Sequence, residues 1–171
     1  MKKISPVNLT RENFSKFGDV IEVNDKSQPL CINDGFTKRY HDLAEIDLNK
    51  NNGKTLVSIF RSSPVPIPVE IKKMERHPLS SQSFIPMGEQ PYLIVVAPKG
   101  PLDESKIQVF LASPDQGVNY HAGTWHHFSL ALNEESDFLV IDRGGKECNC
   151  DEVILQTAIT IETKLIVETE Q

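Results

Sequence analysis

Gly117-Val118-Asn119-Tyr120-His121-Ala122-Gly123-Thr124-Trp125-His126-His127 gathers three of the chain's five histidines and its only tryptophan. Directly behind it, His126, Phe128, Leu130 and Leu132 alternate with His127, Ser129, Ala131 and Asn133, the period of two that marks a strand with one buried face. On this reading His126 opens the apolar face and points inward, while His127 points the other way. Gly117 and Gly123 supply turn geometry on either side of His121, a bend across which His121 and His126 would approach. Neutral imidazole is a ligand for Zn, Ni, Fe or Cu and a general acid/base near pH 7. The competing reading has these histidines capping a sheet through ordinary hydrogen bonds.

The flanking sequence extends the β pattern. Residues 20–23, 55–61, 82–86, 92–97, 107–112 and 138–141 are short runs of β-formers, and Asn33-Asp34-Gly35, Asn52-Gly53, Lys99-Gly100-Pro101 and Ser113-Pro114-Asp115 mark turns between runs. Pro64, Pro66 and Pro68 interleave with Val65, Ile67 and Val69, an extended edge segment. If the strand continues, Val69, Ile71, Lys73, Glu75 and His77 share one face, with Arg76 opposite. Near the start, Thr10 is a plausible N-cap for a short helix to Phe17, with Phe14 and Phe17 on one face and Gly18 ending it. Residues 36–43 read as a strand running into a polar bend, residues 24–28 as a polar loop, and residues 157–167 as either a late strand or a short helix. Short strands at roughly ten-residue spacing, separated by Gly/Pro turns, predict an all-β sandwich or barrel. A length of 171 residues fits one domain, residues 1–171, with a sizeable core.

Composition narrows the function classes. The net charge of −6 gives no electrostatic footprint for nucleic acid, and no run of 18 apolar residues is present to span a membrane. Lys2 and Lys3 are followed by no apolar stretch of signal-peptide type. Cys31, Cys148 and Cys150 form neither a disulfide framework nor a zinc spacing, so free thiols in a reducing cytoplasm are expected. The dinucleotide, P-loop and G-x-S-x-G signatures are absent, which leaves those enzyme classes without an anchor.

Glu75-Arg76-His77, Gln82 and His121-Ala122-Gly123-Thr124-Trp125-His126 together resemble the two-motif arrangement of the cupins, small jelly-roll β-barrels that hold a divalent metal. The second motif matches. In the first, Glu75 stands where a histidine is usual and Gln82 near the place of a glutamate, a weaker and neutral ligand. A narrower resemblance spans nearly the whole chain. It rests on Arg39-Tyr40-His41-Asp42-Leu43, Glu75-Arg76-His77-Pro78-Leu79, Gln82-x-Phe84-Ile85-Pro86-Met87, Gln116-Gly117-Val118-Asn119-Tyr120-His121, Trp125-His126-His127 and Asp137-Phe138-Leu139-x-Ile141-Asp142-Arg143-Gly144-Gly145. In that order these strings are similar to the ureidoglycolate lyase family, and the likeness fades after Cys150.

The resemblance implies a cupin-like jelly-roll barrel with a short N-terminal helix, a homodimer, and elimination of urea from (S)-ureidoglycolate to give glyoxylate in allantoin and purine catabolism. It also implies a divalent metal, nickel or similar. The reaction needs the substrate hydroxyl deprotonated, the departing nitrogen protonated and the carboxylate held. His126, His121, Glu75 and His77 are the candidate catalytic residues and, equally, the candidate metal ligands. Arg61, Arg76, Arg143 and Gln82 are candidates for binding substrate, since arginine pairs with carboxylates in bidentate fashion. Glu75 could instead pair with Lys73 or Arg76, His77 could be a strand-end residue, and the arginines could be solvated strand termini. Tyr40, His41 and Asp42 form either a structural turn or part of the barrel mouth. Residues 107–112 are an apolar strand that would permit dimerisation if it lay at an edge. The competing functions are an amidohydrolase on the same substrate, releasing ammonia, and a non-catalytic cupin that binds a small acid.

Overall fold

The computed structural model describes residues 2–24 and 28–162. Along the chain run β1 (Lys2–Ile4), β2 (Val7–Asn8), α1 (Arg11–Phe14), β3 (Gly18–Ile21), β4 (Leu30–Ile32) and β5 (Thr37–Arg39). There follow β6 (Lys54–Ser62), β7 (Val69–Arg76), β8 (Gln82–Pro86), β9 (Tyr92–Ala97) and β10 (Gln108–Ala112). The last five are β11 (Gly117–Tyr120), β12 (Trp125–His126), β13 (Leu130–Ala131), β14 (Ser136–Gly144) and β15 (Asp151–Ile161). The expected all-β architecture is present. An eight-stranded sheet, ordered β1-β15-β7-β12-β9-β10-β2 with β13 also on β9, curls against a five-stranded sheet ordered β3-β11-β8-β14-β6. β4 and β5 form a separate two-stranded ribbon.

β9 is the spine. All six of its residues are buried, which a strand achieves only when both faces are covered. Tyr92, Ile94 and Val96 join Phe14, Phe84, Val118 and Phe138 in the core between the sheets. Leu93, Val95 and Ala97 join a second cluster on the other face, with Ile71, Met74, Trp125 and Ile159. Thr10 caps α1 as expected, with Asn13 completing a capping box. The helix, however, stops at Phe14 rather than Phe17. Gly18 begins β3, where a Cβ would meet the Asn119 carbonyl oxygen at 1.9 Å. Phe14 and Phe17 are both fully buried, as one shared face requires.

Several expectations need correction. The strand foreseen behind His126 is interrupted: β12 pairs with one end of β9 (His126 opposite Val96) and β13 with the other (Leu130 opposite Leu93). The break lets Leu130 and Leu132 pack into the outer cluster and leaves Phe128 about half exposed. The shared face from Val69 to His77 also breaks. Val69, Ile71 and Met74 belong to the outer cluster, so the face switches between Ile71 and Met74. The partner strand accommodates this with a register shift between Ile154 and Ile159. Residues 107–112 are no sheet edge, because β2 pairs in parallel along the far side of β10. Residues 157–161 continue β15, and residues 163–167 lie outside the described residues, as do residues 25–27 of the expected polar loop. Among the described residues, no helix is long and apolar enough to cross a membrane.

Candidate active site

The mouth between the sheets collects side chains from five strands and the loop after β7. His126 on β12 lies opposite Glu75 on β7, so their side chains share the inward face. His77, just beyond β7, has its ring centroid 5.1 Å from that of His126. Tyr120, at the end of β11, stacks flat on His126 with centroids 4.4 Å apart. Gln82 opens β8 opposite Tyr120; its side-chain amide lies 3.1 Å from His77 Nε2 and 3.4 Å from Asp142 Oδ2.

Two hydrogen bonds set the tautomers. His77 Nδ1 donates to the Asn149 carbonyl at 2.7 Å, and the Asn149 side chain staples its loop to Leu79 N at 2.7 Å and Ser80 Oγ at 2.8 Å. His126 Nδ1 donates to the His127 carbonyl at 3.3 Å and lies 3.8 Å from Glu75 Oε1. With Nδ1–H used in this way, His126 Nε2 carries the lone pair, whereas His77 Nε2 faces the accepting Gln82 Oε1 at 3.1 Å and presents a lone pair only when that amide turns its NH2 toward the ring. Among the described residues, His126 Nε2 and Asp142 Oδ1 are buried polar atoms with no partner. Such atoms are costly to leave unmatched, and both belong to this mouth.

Burial, together with the neighbouring His77 charge, pushes the His126 imidazole down to about 3 from an ordinary 6.5. Burial likewise lowers His127 to about 4. Both rings are therefore neutral at physiological pH, the form that binds metals. The sign of the pH dependence follows. The unfolded chain takes these protons at the ordinary value and the folded chain resists them, so stability is full above about pH 6.5 and falls as pH drops toward 3. In urea melts of metal-free protein, His126 alone is expected to remove about 2 kcal/mol between pH 7 and pH 5. A flat profile would contradict the neutral, buried ring.

Glu75, His77 and His126 each offer a donor atom, all within 4.8 Å of one another. Two imidazoles and a carboxylate suit a divalent first-row metal, and the unpartnered His126 Nε2 supplies the observation that the donor set fits one.

The other candidates lie elsewhere. His121 does not approach His126. It follows Tyr120 and so projects to the opposite face, where Nε2 bonds Asp19 Oδ2 at 2.9 Å. Asp19 also accepts from Asn119 and from the Glu45 backbone, each at 3.0 Å, so His121 helps to anchor the segment around residue 45. Gly123, at φ +81°, makes the bend and donates its N–H to the His77 carbonyl at 2.9 Å. Arg61 donates two parallel hydrogen bonds to the Asp137 carboxylate, at 2.8 and 2.9 Å, on the exposed outer surface. Arg76 does alternate away from Glu75: it bonds Asp151 and the Gly100 carbonyl, each at 2.8 Å, and covers the Trp125 ring at 4.6 Å. Arg143 is buried on the Lys50 carbonyl at 2.8 Å and on Glu147 at 3.0 Å. None of the three is free to hold a substrate carboxylate in this arrangement. Sequence reasoning missed Asp142, Tyr120 and Asn149 as members of the mouth. The first two sat inside quoted motifs, but only the strand register turns them inward.

Comparison with known proteins identifies the family. The chain is 51% identical over 152 residues to "Ureidoglycolate lyase" of Burkholderia mallei (strain NCTC 10229), covering 89% of each chain. It is 48% identical over 153 residues to the protein of that name from Pseudomonas savastanoi pv. phaseolicola, again 89% of each. With the Brucella ovis protein of that name the identity is 47% over 156 residues, covering 91% of this chain and 92% of the relative. The profile of the ureidoglycolate lyase family matches residues 1–162: the chain belongs to the ureidoglycolate lyase family.

Proposed function

We propose that this protein is a lyase that eliminates urea from (S)-ureidoglycolate, leaving glyoxylate, through the mouth formed by Glu75, His77, Gln82, His126 and Asp142. The observation that carries the reading is the pair of buried, unpartnered atoms, His126 Nε2 and Asp142 Oδ1, the first suited to a metal and the second to a substrate hydroxyl. Family membership supplies the substrate class.

The chemistry closes on these residues. The substrate hydroxyl must lose a proton as its C–O bond becomes the glyoxylate carbonyl, and the departing urea nitrogen must gain one. Asp142 Oδ1 takes the hydroxyl proton and returns it to the nitrogen, so no external acid is consumed. Gln82 touches both His77 and Asp142 and so holds the polar edge of the substrate between them. No covalent intermediate is required. Glu75, His77 and His126 would hold a divalent metal, nickel or similar, which when bound polarises the hydroxyl oxygen and lowers its pKa. On the same reading the protein is cytoplasmic, acts as one domain over residues 1–171 and works as a homodimer. Three exposed, unpaired cysteines suit a reducing compartment.

The test is product analysis with freshly made ureidoglycolate, subtracting spontaneous decay. Urea is expected to rise above the control with no ammonia, and a chelator to slow it. Ammonia release would transfer the protein to the amidohydrolases. If neither product exceeds the control, a small-acid-binding role replaces catalysis.

A further inference from the structure

A carboxylate substrate calls for a cation, and the chain has five arginines. Arg11 is held by Glu22, and Arg61, Arg76 and Arg143 are held as described above. Arg39, at the end of β5, pairs with Leu30 through its backbone alone, its side chain making no hydrogen bond or ion pair to any described residue. It stands on the β4–β5 ribbon, which pairs with neither main sheet. A two-stranded ribbon alone is marginally stable in water, yet this one displays Leu30, Ile32 and Phe36, the last 93% exposed.

Beside the site lies the complementary feature. Phe60 faces inward from β6, edge-on to Phe84, and Leu56 shares its face opposite Asp142, yet both remain exposed. Across the gap, Ile154 lies opposite Lys73 on the Glu75 side of β15 and is 81% exposed. A Ser62–Ser129 hydroxyl contact of 2.7 Å closes one end of this seam; the other opens at the mouth. Glu75 and Asp142 give the seam an acidic end there, Glu152 being paired with Lys73 at 2.8 Å, whereas the ribbon carries Lys38 and Arg39 against the single Asp34 of its turn. The ribbon is tethered on the side of the sheet away from its own seam. It leaves from β3, and residue 45 is pinned back to Asp19 on β3. The seam flanks β6, at the opposite edge of the same sheet, about 19 Å away at the usual strand spacing.

We infer that the β4–β5 ribbon of a second copy of this chain lies in the seam, so that each copy supplies Arg39 to hold the substrate carboxylate in the other's site. Reciprocal exchange of two ribbons is a closed two-fold arrangement. The inference rests on the proposed lyase reading for the carboxylate, but not for the docking, which is tested without substrate. The natural cysteines serve as probes: Cys31 lies on β4, while Cys148 and Cys150 lie next to the mouth. A short bismaleimide is expected to join Cys31 of one copy to Cys148 or Cys150 of another, and Cys31→Ser to abolish the linked dimer. Phe36→Ser, at an exposed position that leaves the subunit's own core intact, is expected to shift the protein toward monomer in sedimentation. Links formed only within one chain, no link at all, or an unchanged oligomer after Phe36→Ser would overturn the docking.

For the role of Arg39, Arg39→Ala is expected to raise KM about a hundredfold, as loss of a charge-assisted pair does. At substrate well below the raised KM, co-expression of Arg39→Ala with His126→Ala is expected to restore about one quarter of wild-type kcat/KM, because mixed dimers keep one intact site. Linked dimers without such rescue would place Arg39 outside the partner's site. Linked dimers of a wild-type protein with no lyase activity would leave the docking standing and remove the lyase reading alone.

Discussion

His126→Ala is expected to lower kcat about a thousandfold, in the range typical of removing a positioned acid–base or ligand group, while the protein stays folded. The fold survives because the ring's polar contributions are small. Its Nδ1 bond to the His127 carbonyl is long, at 3.3 Å, and its Nε2 has no partner. Truncation therefore strands one carbonyl, opens a void beside Tyr120 and at the same time removes a desolvated nitrogen. His121→Ala should give the opposite pattern. That side chain bonds Asp19 together with Asn119 and the Glu45 backbone, so its loss should loosen the segment near residue 45 and lower Tm, with kcat within about twofold of wild type. Initial rates of urea release, paired with thermal melts of both variants, separate the two histidines. Equal losses of kcat would sink the division of labour. Near-wild-type turnover in His126→Ala would remove that residue from the site altogether.

The fold was readable because its signals are local. Continuous apolar runs such as Tyr92–Ala97 can only be buried strands, and the residues between them are turn-formers; β8 and β9 emerge with the bounds that their composition gives. The site was half readable. Glu75 near the end of β7 and His77 one residue beyond it lie two apart in extended chain, a spacing that survives any change of register further back. Thus they stay together although the face switches between Ile71 and Met74. His121 defeated the reading because proximity in sequence was taken for proximity of side chains. Tyr120 ends β11 and His121 follows it directly, so one must leave the face that the other occupies. The arginines defeated it for another reason. A guanidinium near a motif looks alike whether it meets a substrate or its own chain, and the acceptors that decide the matter, such as the Lys50 and Gly100 carbonyls, are backbone atoms that sequence does not advertise.

Arg143 shows what that distinction is worth. Arg143→Ala is expected to cost about 3 kcal/mol of stability, a fall in Tm of about 9 °C for a chain of this size, with KM for substrate nearly unchanged in the protein that remains folded. The guanidinium is nearly sealed, its side chain 1% exposed. Nε and Nη2 both reach the Lys50 carbonyl, at 3.2 and 2.8 Å, and Nη2 also bonds Glu147 Oε2 at 3.0 Å. It lies between two glycines: a Cβ on Gly53 would meet Nε at 2.4 Å, and one on Gly145 would meet Nη1 at the same distance. The Arg143-Gly144-Gly145 string is therefore a docking device for the turn that leads into β6. Removing the side chain leaves the Lys50 carbonyl with only the Gly53 N–H at 3.1 Å, leaves Glu147 without its guanidinium, and opens a void between backbone segments that cannot close. Arg143→Lys should recover only part of the loss, because one ammonium cannot reproduce the fork that serves both a carbonyl and a carboxylate. A substrate clamp would behave in reverse, with a large rise in KM and little change in Tm. Urea melts and Michaelis curves on the same two variants discriminate between the two, and a KM effect without loss of stability would return Arg143 to the active site.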